Sequence, residues 1–163
     1  MVTIELETWI DAPVERVFDL SRSIDLHAEA ASTTDEQAVA GRTSGLIELG
    51  ETVTWSAVHF GVRQRLTVEI TQLDHPSFFV DEMLTGAFKS MRHRHDFISA
   101  EGGTLMKDTF AFEAPLWVLG WIAEAVVLRS YMRRFLEERN AQLKDIAEGD
   151  EWVRFVSSVA AAE

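Results

Sequence analysis

Cysteine is missing from all 163 residues. Its absence excludes disulfide scaffolds, cysteine-ligated zinc and iron–sulfur centres, and thiol nucleophiles. Tyrosine is almost missing: Tyr131 stands alone beside 10 Phe and 5 Trp. Basic charge is scarce, with 15 Lys and Arg against 27 Asp and Glu, for a net charge of −12. A duplex-DNA binder needs a positive field, so no nucleic-acid partner is expected. Long apolar runs are lacking too. The longest, Pro115 to Leu128, contains Glu124 and falls short of the ~20 residues a spanning helix needs. The opening stretch Met1–Glu7 carries acids where a secretory signal carries basic residues. These absences predict a cytoplasmic protein without stable membrane insertion.

What is present reads as one globular domain. Apolar residues make up 47% and charged residues 26%, which separates the chain from disordered sequences. Val2–Ile10 alternates apolar and polar and predicts a strand with one wet face. Asp11-Ala12-Pro13 then opens a helix, with Asp11 as the expected cap and Pro13 tolerated in the first turn. Val14, Val17 and Phe18 form its apolar stripe to about Ser21. A second short helix is predicted over Ile24–Ala31, with Leu26 and Ala30 inward. From Glu36 the period changes to two, predicting six strands near 36–42, 52–60, 62–73, 78–85, 88–99 and 103–113. Tight turns at Gly61, Gly86 and Gly102-Gly103 join them into an antiparallel meander.

Beyond Pro115 the period changes again. Trp121, Ala125, Leu128, Met132, Phe135, Arg139, Leu143 and Ile146 recur at three- and four-residue steps. They predict a long amphipathic helix ending near Gly149. Arg129, Arg133, Arg134 and Arg139 read most simply as a solvated face paired with Glu137 and Glu138. Residues 150–163 form a tail in which Trp152, Phe155, Val156 and Val159 suit a short docking helix. A seven-stranded antiparallel sheet twists and curls. The long helix is the element able to cover its concave face, and a cavity between the two is expected.

This order of elements resembles the START-like (SRPBCC) superfamily, the helix-grip fold shared by the birch pollen allergen and aromatase/cyclases. The carrying stretches are Asp11–Phe18, Val53–Gly61, Phe79–Met83, His93–Phe97 and Gly103–Asp108. The nearest likeness is to bacterial members of polyketide cyclase/dehydrase type. The resemblance implies an α+β helix-grip fold: a seven-stranded curved antiparallel sheet wrapped around a long C-terminal helix, with two short helices after strand 1. It also implies a ligand-binding domain over 1–149 that takes a polyketide, aromatic or lipid-like molecule.

Alternation assigns the lining of the expected cavity. Met91, His93, His95 and Phe97 share one face of their strand, and Met106, Asp108, Phe110 and Phe112 share one face of the next. A turn near Gly102 places His95 opposite Asp108, His93 opposite Phe110 and Met91 opposite Phe112. It also sets Asp96 against Lys107, an opposite-charge pair that supports this register. A turn at Gly86-Ala87 would bring Glu82 near Met91 and Val80 near His93, sharing the inner face with Phe78. Gln64, Trp55 and His59 are candidates from the strands before. Leu128, Met132 and Trp121 contribute from the helix, and Trp117 from a loop that reads as core or as a lid. The polar stripe Glu82–His93–His95–Asp108 has three readings: internal hydrogen bonding, orientation of a ligand, or catalysis. In the third, His95 held by Asp108 is a general base and Glu82 the acid, in a cyclase/dehydratase-type lyase without cofactor. Ser90 points outward, so no nucleophile serves acyl-enzyme chemistry. His93 and His95 with Glu82 or Asp108 also have zinc- or iron-ligand chemistry. The two-residue spacing is common by chance, and the reading assigns no metal. A non-enzymatic alternative is partner binding through Trp117 and Trp121, with a homodimer as one form.

Overall fold

The computed structural model describes residues 1–30, 34–114 and 122–156, without the side chains of 122–125. Strand β1 (Val2–Ile10) leads into helices α1 (Val14–Ser21) and α2 (Ile24–Ala30). Six strands follow: β2 (Gln37–Gly41), β3 (Thr52–His59), β4 (Val62–Asp74), β5 (Phe78–Thr85), β6 (Ser90–Ala100) and β7 (Gly103–Glu113). Helix α3 (Ile122–Glu148) is long, and α4 (Val153–Val156) is a single turn. All seven strands form one antiparallel sheet in the order β1-β7-β6-β5-β4-β3-β2. The fold is therefore the expected α+β helix-grip. Among the described residues no helix is long and apolar enough to cross a membrane.

The core lies between the concave face and the helices. Ile4 and Ile10 from β1, Phe18 and Leu20 from α1, Phe112 from β7 and Leu136 from α3 are at most 2% exposed. Rings interlock there: Phe18 meets the edges of Phe79 and Phe97 at centroid distances of 5.6 and 5.2 Å, the edge-on geometry that aromatic quadrupoles favour. α4 packs through Phe155, and Arg16 lies 4.2 Å over the Trp152 ring. Residues 115–121, which include Trp117 and Trp121, lie outside the described residues, as do Ala31 and Val159.

Two local expectations change. Asp11 is not the cap of α1. The N-cap is Pro13 and no side chain caps the helix. The Asp11 backbone N–H instead donates to Glu148 Oε1 at 2.8 Å, which ties the start of α1 to the end of α3. The second change is the register of β5. Phe79 faces His95, Asp81 faces His93 and Glu82 faces Arg92, one residue away from the pairing of a two-residue turn. The cause is Phe88, whose half-buried ring packs on Phe112 at 5.0 Å and Phe110 at 6.3 Å. Burying that ring takes an extra residue into the connection. A one-residue slip moves a strand's whole set of side chains to the other face. Phe78, Val80 and Glu82 therefore sit on the outer face, where Phe78 lies under Arg94 and Glu82 pairs with Arg92 at 3.4 Å.

The β1–β7 junction is tight. A Cβ on Gly103 would come within 2.4 Å of the Ile10 carbonyl oxygen. Beside it, Thr104 Oγ1 donates to the Ala12 carbonyl at 2.8 Å. Gly103→Ala is expected to lower stability by about 1–3 kcal/mol through overpacking, as measured by urea denaturation.

Candidate functional site

The inner face of β6 and β7 carries a buried polar cluster among aromatic rings. Asp108 is its hub and is 1% exposed. Its Oδ1 accepts from His93 Nε2 at 3.1 Å and lies 2.7 Å from His95 Nδ1. Its Oδ2 accepts from Asn140 Nδ2 of α3 at 2.6 Å. The other ring nitrogen of His95, Nε2, lies 3.3 Å from Asp81 Oδ1 on β5. Phe79 stacks on His95 at 4.3 Å, and Phe110 meets His93 edge-on at 5.1 Å. Strand alternation explains the assembly: β6 sends both histidines inward, β7 sends Asp108, and the shifted β5 sends Asp81.

The charges follow from this geometry. Burial works against ionisation of Asp108, but hydrogen bonds from His93 and His95 and their charges hold its pKa well below the usual carboxylate value. Burial also disfavours a charged His95. The two facing carboxylates, Asp108 first and then Asp81, outweigh burial and raise its pKa above the ordinary histidine value. His93 goes the other way. Burial and the neighbouring His95 push its pKa from 6.5 down to about 4. The two carboxylates thus favour the imidazolium form of His95, while His93 beside it is neutral at neutral pH.

Two small cavities adjoin the cluster. One, of about 60 Å³, is lined by Asp81, His93, His95, Trp55, Phe79 and Arg139, with other residues of α1, α2 and the sheet. The other, of about 20 Å³, follows the seam between α2 and α3 past Leu26, His27, Arg139, Asn140 and Leu143. Ser21, His27, His95 and Arg139 line both. His27 stacks on Trp55 at 4.2 Å and pairs with the buried Glu36 at 3.1 Å. Arg139 is half-buried and makes no hydrogen bond or ion pair with any described residue. Its charge reaches Asp81 and Glu36, lowering both pKa values alongside their histidine partners and against burial.

The sequence-predicted residues divide in three. Trp55, His93 and His95 line the larger cavity, His95 and Met106 the smaller one, and Asp108 holds both histidines from behind. Met91, Phe97, Phe110, Phe112 and Met132 are buried but line neither cavity. Gln64, Leu128 and His59 are half-buried, and His59 Nδ1 meets the Tyr131 hydroxyl at 2.7 Å. Glu82 is on the opposite face of the sheet from His95, so it does not act as an acid at this cluster. Sequence reasoning missed Asp81 and Asn140, and it set Arg139 both on the recurring stripe of the long helix and in a solvated face. For Asn140 and Arg139 a signal existed: they lie four and three residues after the buried Leu136, on the stripe that meets the sheet.

Residues 1–148 match the family model described as polyketide cyclase/dehydrase and lipid transport. No protein of curated function matches the chain by sequence. Among solved structures, the Thermus thermophilus protein TTHA0849 superposes with a TM-score of 0.73 at 19% identity, covering 99% of this chain and 100% of that one. The ZhuI aromatase/cyclase of Streptomyces sp. R1128 gives 0.67 at 15% identity, over 90% and 93% of the two chains. The Panax ginseng major latex-like protein 151 gives 0.65 at 13% identity, over 91% and 98%. At these identities the likeness is one of fold.

Two outcomes test the cluster. Asp108→Ala leaves two buried histidines and Asn140 without their acceptor and is expected to cost about 3–5 kcal/mol in urea denaturation. The second concerns pH. Between 6.5 and about 4 the unfolded His93 takes a proton that the native one refuses, so its contribution is present above pH 6.5 and lost as pH falls. His95, with its raised pKa, contributes stability below pH 6.5 that is lost as pH rises through its native value. The urea midpoint is expected to climb from pH 4 to 6.5 and decline above it. His93→Gln is expected to flatten the lower limb.

Proposed function

Because this chain belongs to the polyketide cyclase/dehydrase and lipid transport family, we propose that it binds an apolar small molecule bearing one acidic oxygen. Family and fold support hydrophobic ligand binding in general. The observation behind the finer reading is Arg139, a guanidinium without an ion-pair partner among the described residues, set among Trp55, Phe79, Leu26 and Leu143 at the meeting point of both cavities. A half-buried guanidinium whose N–H groups meet no acceptor among the described residues favours an oxygen ligand that supplies one. A carboxylate, or the enolate oxygen of a polyketide-like compound, supplies that pair in a directional, charge-assisted form.

The cavities are much smaller than the roughly 300–1,000 Å³ that a drug-sized ligand fills. On this reading a ligand of that size enters by parting α2 from α3 along the seam that the smaller cavity already follows. Few polar groups converging in an apolar wall suit orientation of a ligand. General-base catalysis by His95 has less support, because both of its ring nitrogens face carboxylates and leave no lone pair for a substrate proton. Carriage or presentation of the ligand is the reading that this geometry favours.

Calorimetry with decanoic acid and decanol tests it. The acid is expected to bind roughly tenfold or more tightly than the alcohol, the worth of one charge-assisted hydrogen bond. Arg139→Gln is expected to abolish that preference while leaving decanol affinity within about twofold. Equal affinity of the native protein for both compounds, or no binding of either, contradicts the reading.

A further inference from the structure

We propose that Asp81, His93 and His95 form a binding site for a divalent transition-metal ion of the zinc class, in the wall of the larger cavity. This site stands independently of the ligand reading above. The three side chains come from facing positions on β5 and β6, and one ligand atom from each lies within 4.8 Å of the others. Two ligands bound at about 2.0–2.1 Å with a tetrahedral angle are about 3.3–3.4 Å apart. His95 Nε2 and Asp81 Oδ1 are already 3.3 Å apart. Completing the site brings a His93 ring nitrogen from within 4.8 Å of the other two ligand atoms to about 3.4 Å from each.

The surroundings are those of a metal centre. Metal-bound histidines characteristically give their second ring nitrogen to a carboxylate, which fixes ring orientation. Here one carboxylate, Asp108, takes one nitrogen from each ring and is itself held by Asn140. That leaves His95 Nε2 and His93 Nδ1 as the ring nitrogens not committed to Asp108. All three proposed ligands line the larger cavity, which leaves coordination positions open to water or to a small oxygen ligand. Two imidazoles and one carboxylate are the donor set of borderline divalent ions, not of Ca²⁺ or Mg²⁺. Binding releases the proton shared between His95 Nε2 and Asp81, and the ion takes its place. Arg139 opposes the ion, since its charge is felt at Asp81.

The test uses the full chain, stripped with a chelator and titrated with Zn²⁺ by calorimetry and with Co²⁺ by visible absorption. One equivalent of each is expected, with Co²⁺ giving the intense d–d bands of a four- or five-coordinate site. Asp81→Asn, which keeps the shape of the side chain, is expected to weaken binding roughly tenfold or more. Its circular dichroism and melting temperature establish that it is folded, so the decision does not rest on a histidine variant. Glu82→Gln, on the opposite face, is expected to bind like the native chain, and Arg139→Gln as tightly or more tightly. Absence of stoichiometric binding overturns the proposal. So does an Asp81→Asn variant that binds like the native chain, which would assign the metal to surface acids.

Discussion

Asp108 is the constraint on which the rest of the interior depends. A carboxylate removed from water is unfavourable unless both of its oxygens find donors. Asp108 meets that condition by drawing two histidines from β6 and one asparagine from α3 onto its two oxygens. Those three contacts set the β6–β7 register, the seating of α3 on the sheet and the orientation of both imidazole rings. The raised pKa of His95 follows, and with it the lowered pKa of Asp81. A hydrophobic core alone would hold these elements together, but it would not select one rotational setting of α3 so sharply.

The polar interior also explains where the two cavities among the described residues lie. Phe79, Phe97 and Phe110 are buried on the concave face. What stays open follows the charged side chains, His95, His27 and Arg139, whose heads cannot pack against one another as apolar groups do. An apolar body with an acidic head, and a cation held by the two histidines and Asp81, are two ways of completing that incomplete charge pattern. They draw on different residues: Arg139 for the acid, Asp81 for the cation.

Much of the fold was legible in the sequence because its periods are clean. The β6–β7 pairing followed from a turn at Gly102 and the Asp96–Lys107 pair, and the contact of His95 with Asp108 followed from that pairing. The β5–β6 pairing was misread for a definite reason. A turn length was inferred from Gly86 alone, and nothing local reveals that Phe88 folds inward onto Phe112. One residue of error exchanged Asp81 for Glu82. Arg139, set both on the helix's recurring stripe and in its solvated face, and Asn140, not singled out at all, were missed for a different reason. Residue type suggested solvent where helical position pointed to the sheet, and at a site that binds something polar, position is the better guide. The smallness of the cavities was not legible, since void volume depends on side-chain packing that periodicity does not encode.

Asp108 and Asp81 together favour the charged form of His95, whereas burial keeps His93 beside it neutral. Long-range ¹H–¹⁵N correlation of the histidine rings, followed through a pH titration of the metal-free protein, reads both protonation states. His95 is expected to keep both ring protons to a pH above the ordinary histidine value of 6.5, and His93 to take its second proton only near pH 4. A His95 ring that loses a proton below pH 6.5 overturns this picture of the cluster.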